Sequence, residues 1–179
     1  MANEVLLKSG TPTVWADATD YAGDGGTRTH QIDLTSLADG AARQGAKADL
    51  GATRAERYAV TFCVEMAVAP VSGAYVDLYW AASIHATAAT MNPGGCSGSD
   101  AAYTGTAGDS MDDSLNQLIP VGGLYLTSDA DPVLHSMTFI LFPPHRYGMP
   151  VVDNNGGQAM HSDAIECFVA LTPLIPEIQ

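Results

Sequence analysis

From Arg57 to Trp80 the chain alternates twice between apolar and polar positions. Tyr58, Val60, Phe62, Val64, Met66 and Val68 recur at every second residue. A strand turns alternate side chains to one face, so this spacing predicts a buried strand face and excludes a helical stripe. Ala69-Pro70-Val71-Ser72-Gly73 is turn chemistry. Alternation then resumes with Val76, Leu78 and Trp80 on one face and Tyr75, Asp77 and Tyr79 on the other. Two such runs joined by a short Gly-containing loop predict a β-hairpin. With Val68 near Ala74, the register sets Glu65 opposite Asp77. Like charges directly opposite cost about 0.2–1 kcal/mol. An arginine, a cation, a shared proton or a one-step register shift would relieve the pair. Two carboxylates could also serve as a glycosidase acid/base pair, but a polar outer face with a local partner is the simpler reading.

The flanking sequence is punctuated by turns. Val5–Leu7 and Val14–Trp15 are short apolar stretches of a terminal arm or edge strand. The run DATDYAGDGG at 17–26 offers Asp17, Asp20 and Asp24 as oxygen ligands for calcium. Its spacing is not that of an EF-hand, and Asp/Gly clusters are ordinary turn material. Thr29–Leu34 reads as a strand. Residues 35–56, rich in Ala and Gly, read as an extended surface connection with at most a short helix near Leu37–Arg43.

Ala82–Asp113 reads as a long insertion loop at one end of a sandwich. Its Gly-Cys-Ser-Gly-Ser run lacks the G-x-S-x-G pattern of a nucleophile elbow. Leu118–Val121 and Leu124–Leu126 flank a bulge or bend at Gly122-Gly123. Asp129–Pro132 is a turn. Val133–Phe142, apolar on both faces, reads as a central strand stopped by Pro143-Pro144. Tyr147–Val152 leads into a turn at 153–157, Ala164–Leu171 is the last strand, and PLIPEIQ is an extended tail. The expected fold is therefore all-β, a single-domain antiparallel sandwich of jelly-roll type. Residues 1–28 would form an arm and acidic loop, and residues 29–179 the sandwich.

Charge narrows the functions. Seven basic residues against twenty acidic ones give a net charge of −13, which disfavours nucleic acid and anionic membrane as partners. No apolar run is long enough for a membrane helix, and the first residues lack signal-peptide character. The cations Arg28, Arg43, Lys47, Arg54 and Arg57 gather in the N-terminal third. They are candidates for a docking surface, against the alternative of pairing with the chain's own carboxylates. Cys63, Cys96 and Cys167 form neither a disulfide framework nor a zinc motif. His161, Asp163 and Glu166 are close in sequence, but on a strand the third would leave the face of the first two. No catalytic constellation or cofactor motif can be assembled, so a non-enzymatic role is expected.

Lysine occurs only at Lys8 and Lys47, although sheet edges are commonly protected by lysine. The outward parity Ala59, Thr61, Cys63 and Ala67 is small and, apart from Glu65, uncharged. Such a face suits a chain that assembles, and a homo-oligomer, a trimer above all, is expected.

Several strings carry a resemblance: HQIDLTSLADGAARQGAKADLGATRAERYAVTFCVE (30–65), SGAYVDLYWAAS (72–83), NPGGCSGSDAAYTG (92–105), RYGMPVVDNNGGQAM (146–160) and the terminal PLIPEIQ. Together they resemble a family of small bacteriophage structural proteins over most of the chain from Thr29 onward. The resemblance implies a virion component made in the host cytoplasm, with no catalytic residues to carry over. Its partner would be the major capsid protein or another virion protein. Decoration of the head surface is the leading expectation, and a neck, tail or fibre part the alternative. A carbohydrate-binding module is a separate alternative, with Trp15, Trp80, Tyr103 and Tyr147 as candidate stacking residues.

Overall fold

The structure is a computed structural model that describes residues 5–128, 134–163 and 165–178. In chain order the strands are β1 (Val5–Ser9), β2 (Thr13–Ala16), β3 (His30–Gln31), β4 (Ala41–Gln44), β5 (Ala48–Asp49) and β6 (Arg57–Glu65). They continue with β7 (Tyr75–Ser83), β8 (Ala101–Tyr103), β9 (Ile119–Tyr125), β10 (Leu134–Leu141), β11 (Tyr147–Asn155) and β12 (Phe168–Ile178). One short helix, α1 (Met111–Leu115), is capped by Ser110, whose hydroxyl accepts from the Asp113 N–H.

Two sheets pack face to face as a β-sandwich. Sheet A runs β10-β6-β12-β2-β3, with β1 also on β12; sheet B runs β8-β4-β11-β7-β9, with β5 also on β11. The pairings are antiparallel apart from β2 with β3. Inward side chains of both sheets make the main core, including Val60, Phe62 and Val64 of β6 and Val76, Leu78 and Trp80 of β7. The buried parities are those expected from the alternation as far as Met66; Val68, on the same parity, is exposed because β6 ends at Glu65 and the chain has begun to cross between the sheets.

The predicted hairpin does not form. Its strands occupy the expected residues, but β6 pairs with β10 and β12 while β7 pairs with β11 and β9. Residues 66–74 cross from one sheet to the other. The two apolar faces then meet across the core instead of lying side by side, which satisfies the same alternation. Glu65 consequently does not face Asp77. Glu65 lies opposite Leu134, and Asp77 lies opposite Asp153.

Other expectations change with the pairing. β10 is an edge strand, not a central one. Its two-sided apolar pattern arises because its outward residues stay exposed. No helix forms near Leu37–Arg43, where Ala41–Gln44 is strand β4. The C-terminal tail is strand, extending β12 to Ile178. Residues 13–16 are not a free arm: they pair with β12, and Val14, Trp15 and Ala16 are fully buried. Strand β11 continues through Asp153 to Asn155, where a turn was expected. The expected bulge is present, as the β7–β9 register shifts between Leu78 and Tyr79 and leaves Val121 as the extra residue. The expected turn at Asp129–Pro132 lies outside the described residues.

Pro150 lies inside β11, where a missing N–H would ordinarily break a ladder. Its carbonyl accepts from Gly45 N, on the side where the chain leaves β4 before β5 begins. The absent donor therefore falls in a gap between two short partner strands.

Residues 84–118 do not hang free at one end of the sandwich. They fold over the outer face of sheet B and bury Cys96, Tyr103, Leu115 and Leu118 against Ala42, Ala81, Met149 and Val151. The outer face of sheet B is thus covered around Ala42, Ala81, Met149 and Val151, while Tyr75 and Tyr125 at its β7–β9 end stay exposed.

Candidate functional site

The outer face of sheet A is the least covered surface of the sandwich. Register sets its rows: Ile140 beside Ala59 beside Thr172, then Thr138 beside Thr61 beside Ala170. The hydroxyls of Thr61 and Thr138 lie 3.4 Å apart, confirming that they share this face. Small β-branched and apolar side chains stand here with charge only at the strand ends, at Arg57 and Glu65.

One end of the face is closed by the chain itself. Val14, Ala16, Cys63, Phe168 and Ala170 form a small cluster beneath the loop 17–26. Tyr21 packs on Phe168 with ring centroids 5.9 Å apart, and its hydroxyl accepts from Gly25 N at 2.6 Å. A Cβ on Gly25 would come within 2.5 Å of the Phe168 ring, so glycine is what lets the loop lie flat. Asp17 holds the loop by accepting from Thr19 N, Asp20 N and the Gln31 amide. Burial alone would raise its pKa, but these donors outweigh that and hold it below the usual value. Its oxygens therefore serve turn chemistry, not the calcium cluster considered from sequence.

The other end is open. Ile140 is 52% exposed, Phe142 59% and Leu7 56%. Glu56, Arg57, Phe142, Leu174 and Pro176 line a cavity of about 310 Å³ there. Beyond β6, β1 and the end of β12 continue as a two-stranded ribbon, with Leu7 opposite Pro176. Contiguous exposed apolar surface of this kind marks an interaction face more often than an ordinary solvated surface.

The five candidate cations do not converge on one surface. Arg43 makes a bidentate pair with Asp100, with both N–H···O distances 2.7 Å, and approaches Asp33 at 4.0 Å. Lys47 reaches across sheet B, and its Nζ donates to Ser83 Oγ and to the carbonyls of His85, Thr87 and Thr90. Burial pushes its pKa down. Arg43 and Lys47 therefore pin the overlying loops to sheet B. Arg54 donates to the Pro144 carbonyl and Arg28 to the Gln31 side chain. Arg57 alone of the five stands beside the open face.

The remaining candidates are also placed. Trp15, Trp80 and Tyr103 are buried and cannot stack on a sugar. Tyr147 is half-buried, with the Arg146 guanidinium 5.1 Å from its ring centre. His161 Nδ1 lies 3.9 Å from Glu65 Oε2 and accepts from Asp163 N. Among the described residues no three acidic, His or Cys side chains gather closely enough to hold a metal ion. All three cysteines are free and buried.

Sequence reasoning recognised the uncharged parity of β6 but not the face to which it belongs. The missing information was the identity of the neighbouring strands, β10 and β12, both distant in sequence. No protein-family model matches the chain, and no curated protein matches it either.

Proposed function

We propose that this chain is a non-enzymatic virion structural protein that decorates the outside of a bacteriophage head, docking through the open end of the outer face of sheet A. The observation that supports docking is that uncharged surface, edged by Ile140 of β10, Phe142 just beyond it and Leu7 of β1. The sequence resemblance to small phage structural proteins supports the virion. A decoration protein strengthens a shell by bridging subunits, and an oligomeric one gains avidity from several weak contacts. Arg57 and Glu56 sit side by side at the rim of the face, where charges of both signs at the edge of apolar groups would fix the chain's orientation on its neighbour.

The test is quantitative mass spectrometry of purified particles that encode the chain, with a second preparation carrying Thr138→Lys and Ile140→Lys. A copy number near that of the major shell protein, or a simple fraction of it, is expected for the parent chain, together with loss of the variant from the particle. A few copies per particle would move the protein to the neck or tail. Absence of the parent, or undiminished incorporation of a folded variant, would overturn the proposal.

A further inference from the structure

On the opposite side of the molecule, α1 roofs part of the outer face of sheet B. Between them lies a cavity of about 330 Å³, with Asp77, Asp153, Asn155 and Tyr79 in its floor and Asp112 and Asn116 in its roof. No lysine or arginine lines it. Its floor places two carboxylates side by side, because Asp77 of β7 is directly opposite Asp153 of β11.

Each member of the pair is confined by its surroundings. Asp153 is only 5% exposed; its Oδ2 accepts from Asn155 Nδ2 at 2.8 Å, while its buried Oδ1 has no donor. On its other flank Asp77 faces Gly123, where a Cβ would lie 2.8 Å from Asp77 Oδ1. A larger residue at 123 would crowd that carboxylate. Burial pushes both carboxyls above their usual range, and each has further acidic neighbours: Asp153 for Asp77, and Asp112 and Asp39 for Asp153. A buried carboxylate oxygen without a donor, in a polar cavity of uniformly negative sign, matches a ligand that is a cation.

We propose that this cavity binds a hard divalent cation of the calcium type, held by the carboxylates of Asp77 and Asp153. Such ions take carboxylate, amide, carbonyl and water oxygens. No third acidic, His or Cys group among the described residues joins the pair, so the amide oxygen of Asn116 or Asn155 and water complete the shell. With so few charged ligands the affinity belongs to the weak class, around 10⁻⁴–10⁻³ M. The cation compensates two carboxylates that the fold otherwise holds together against their repulsion. Where Asn116 supplies that oxygen, the cation also ties the roof helix to the floor strands.

The experiment is thermal unfolding and titration calorimetry of the full chain in EDTA and in rising calcium chloride, with sodium chloride at matched ionic strength as control. At 10 mM calcium a rise in Tm of about 4 °C or more is expected, with a single-site heat signal. Asp77→Asn and Asp153→Asn should each abolish that response. In EDTA, Asp77→Asn should melt no lower than the parent, because it removes a repulsion; a ligand carboxylate with a purely structural role would lower it. Should Asp153→Asn fail to fold, the half-exposed Asp77 carries the test. No calcium response beyond the salt control would overturn the site and leave a proton shared between the carboxyls. An undiminished response in a folded Asp77→Asn would overturn it as well.

Discussion

The indole of Trp15 meets that of Trp80 edge to face, with ring centroids 5.7 Å apart and planes at 83°. One ring comes from sheet A and the other from sheet B, so the contact bridges the sandwich at its centre. Trp15 Nε1 also donates to the Ala46 carbonyl at 2.7 Å, tying the connection between β4 and β5 to the core. Replacing Trp15 by Ala should cost about 3–5 kcal/mol, read as a lower denaturant midpoint. Removing residues 1–10 should leave a folded chain, whereas removing residues 1–16 should not. Circular dichroism and cooperative melting separate the two outcomes.

Arg43 and Lys47 should behave as structural residues. Each makes charge-assisted hydrogen bonds to loops that cover sheet B, so Arg43→Ala or Lys47→Met should destabilise by about 2 kcal/mol. Hydrogen exchange should accelerate first in residues 84–100. Docking to particles should survive in either variant at temperatures where it remains folded, because neither side chain reaches the open face of sheet A.

Glu65 gives a pH dependence of definite sign. Burial raises its pKa, Glu166 and Asp163 add to the rise, and His161 opposes it. A carboxyl whose folded pKa exceeds its unfolded value favours folding below the unfolded value, and that advantage is lost as pH rises through the folded one. Glu65→Gln should therefore raise Tm at pH 7 by about 1–2 °C and leave it unchanged near pH 4. A loss of stability at pH 7 would show that attraction to His161 dominates instead.

The thiols should be silent in the native state. Burial pushes Cys63 and Cys96 up to about 12 and Cys167 up to about 11, and the thiolate is the reactive form. Ellman's reagent should label none of them at pH 8 and all three in guanidinium chloride. Rapid labelling of Cys63 alone would mean that the loop 17–26 opens away from Phe168.

Gly148 has a packing reason. A Cβ there would fall 2.4 Å from the Trp80 ring, so the β11 backbone lies directly on the indole. Gly148→Ala should cost about 1–3 kcal/mol through forced displacement of Trp80. A shift in tryptophan fluorescence should accompany the lower stability.

The sequence by itself determined the strand class and the buried parity. Tyr58, Val60, Phe62 and Val64, then Val76, Leu78 and Trp80, are all buried, because period-2 alternation is a local property of the backbone. It also marked Ala59 and Thr61 as members of a small, uncharged face. Only the tertiary structure decided which strands are neighbours. A hairpin and a crossing between sheets bury the same parity, so residues 57–80 could not distinguish them. The choice was made by β10, β11 and β12, which supply ladder partners from the far end of the chain. That choice separated Glu65 from Asp77, set Asp77 beside Asp153, and left Ile140 at an open edge. Side chains distant in sequence meet only through long-range pairing, and local pattern carries no record of which pairing the whole core will favour.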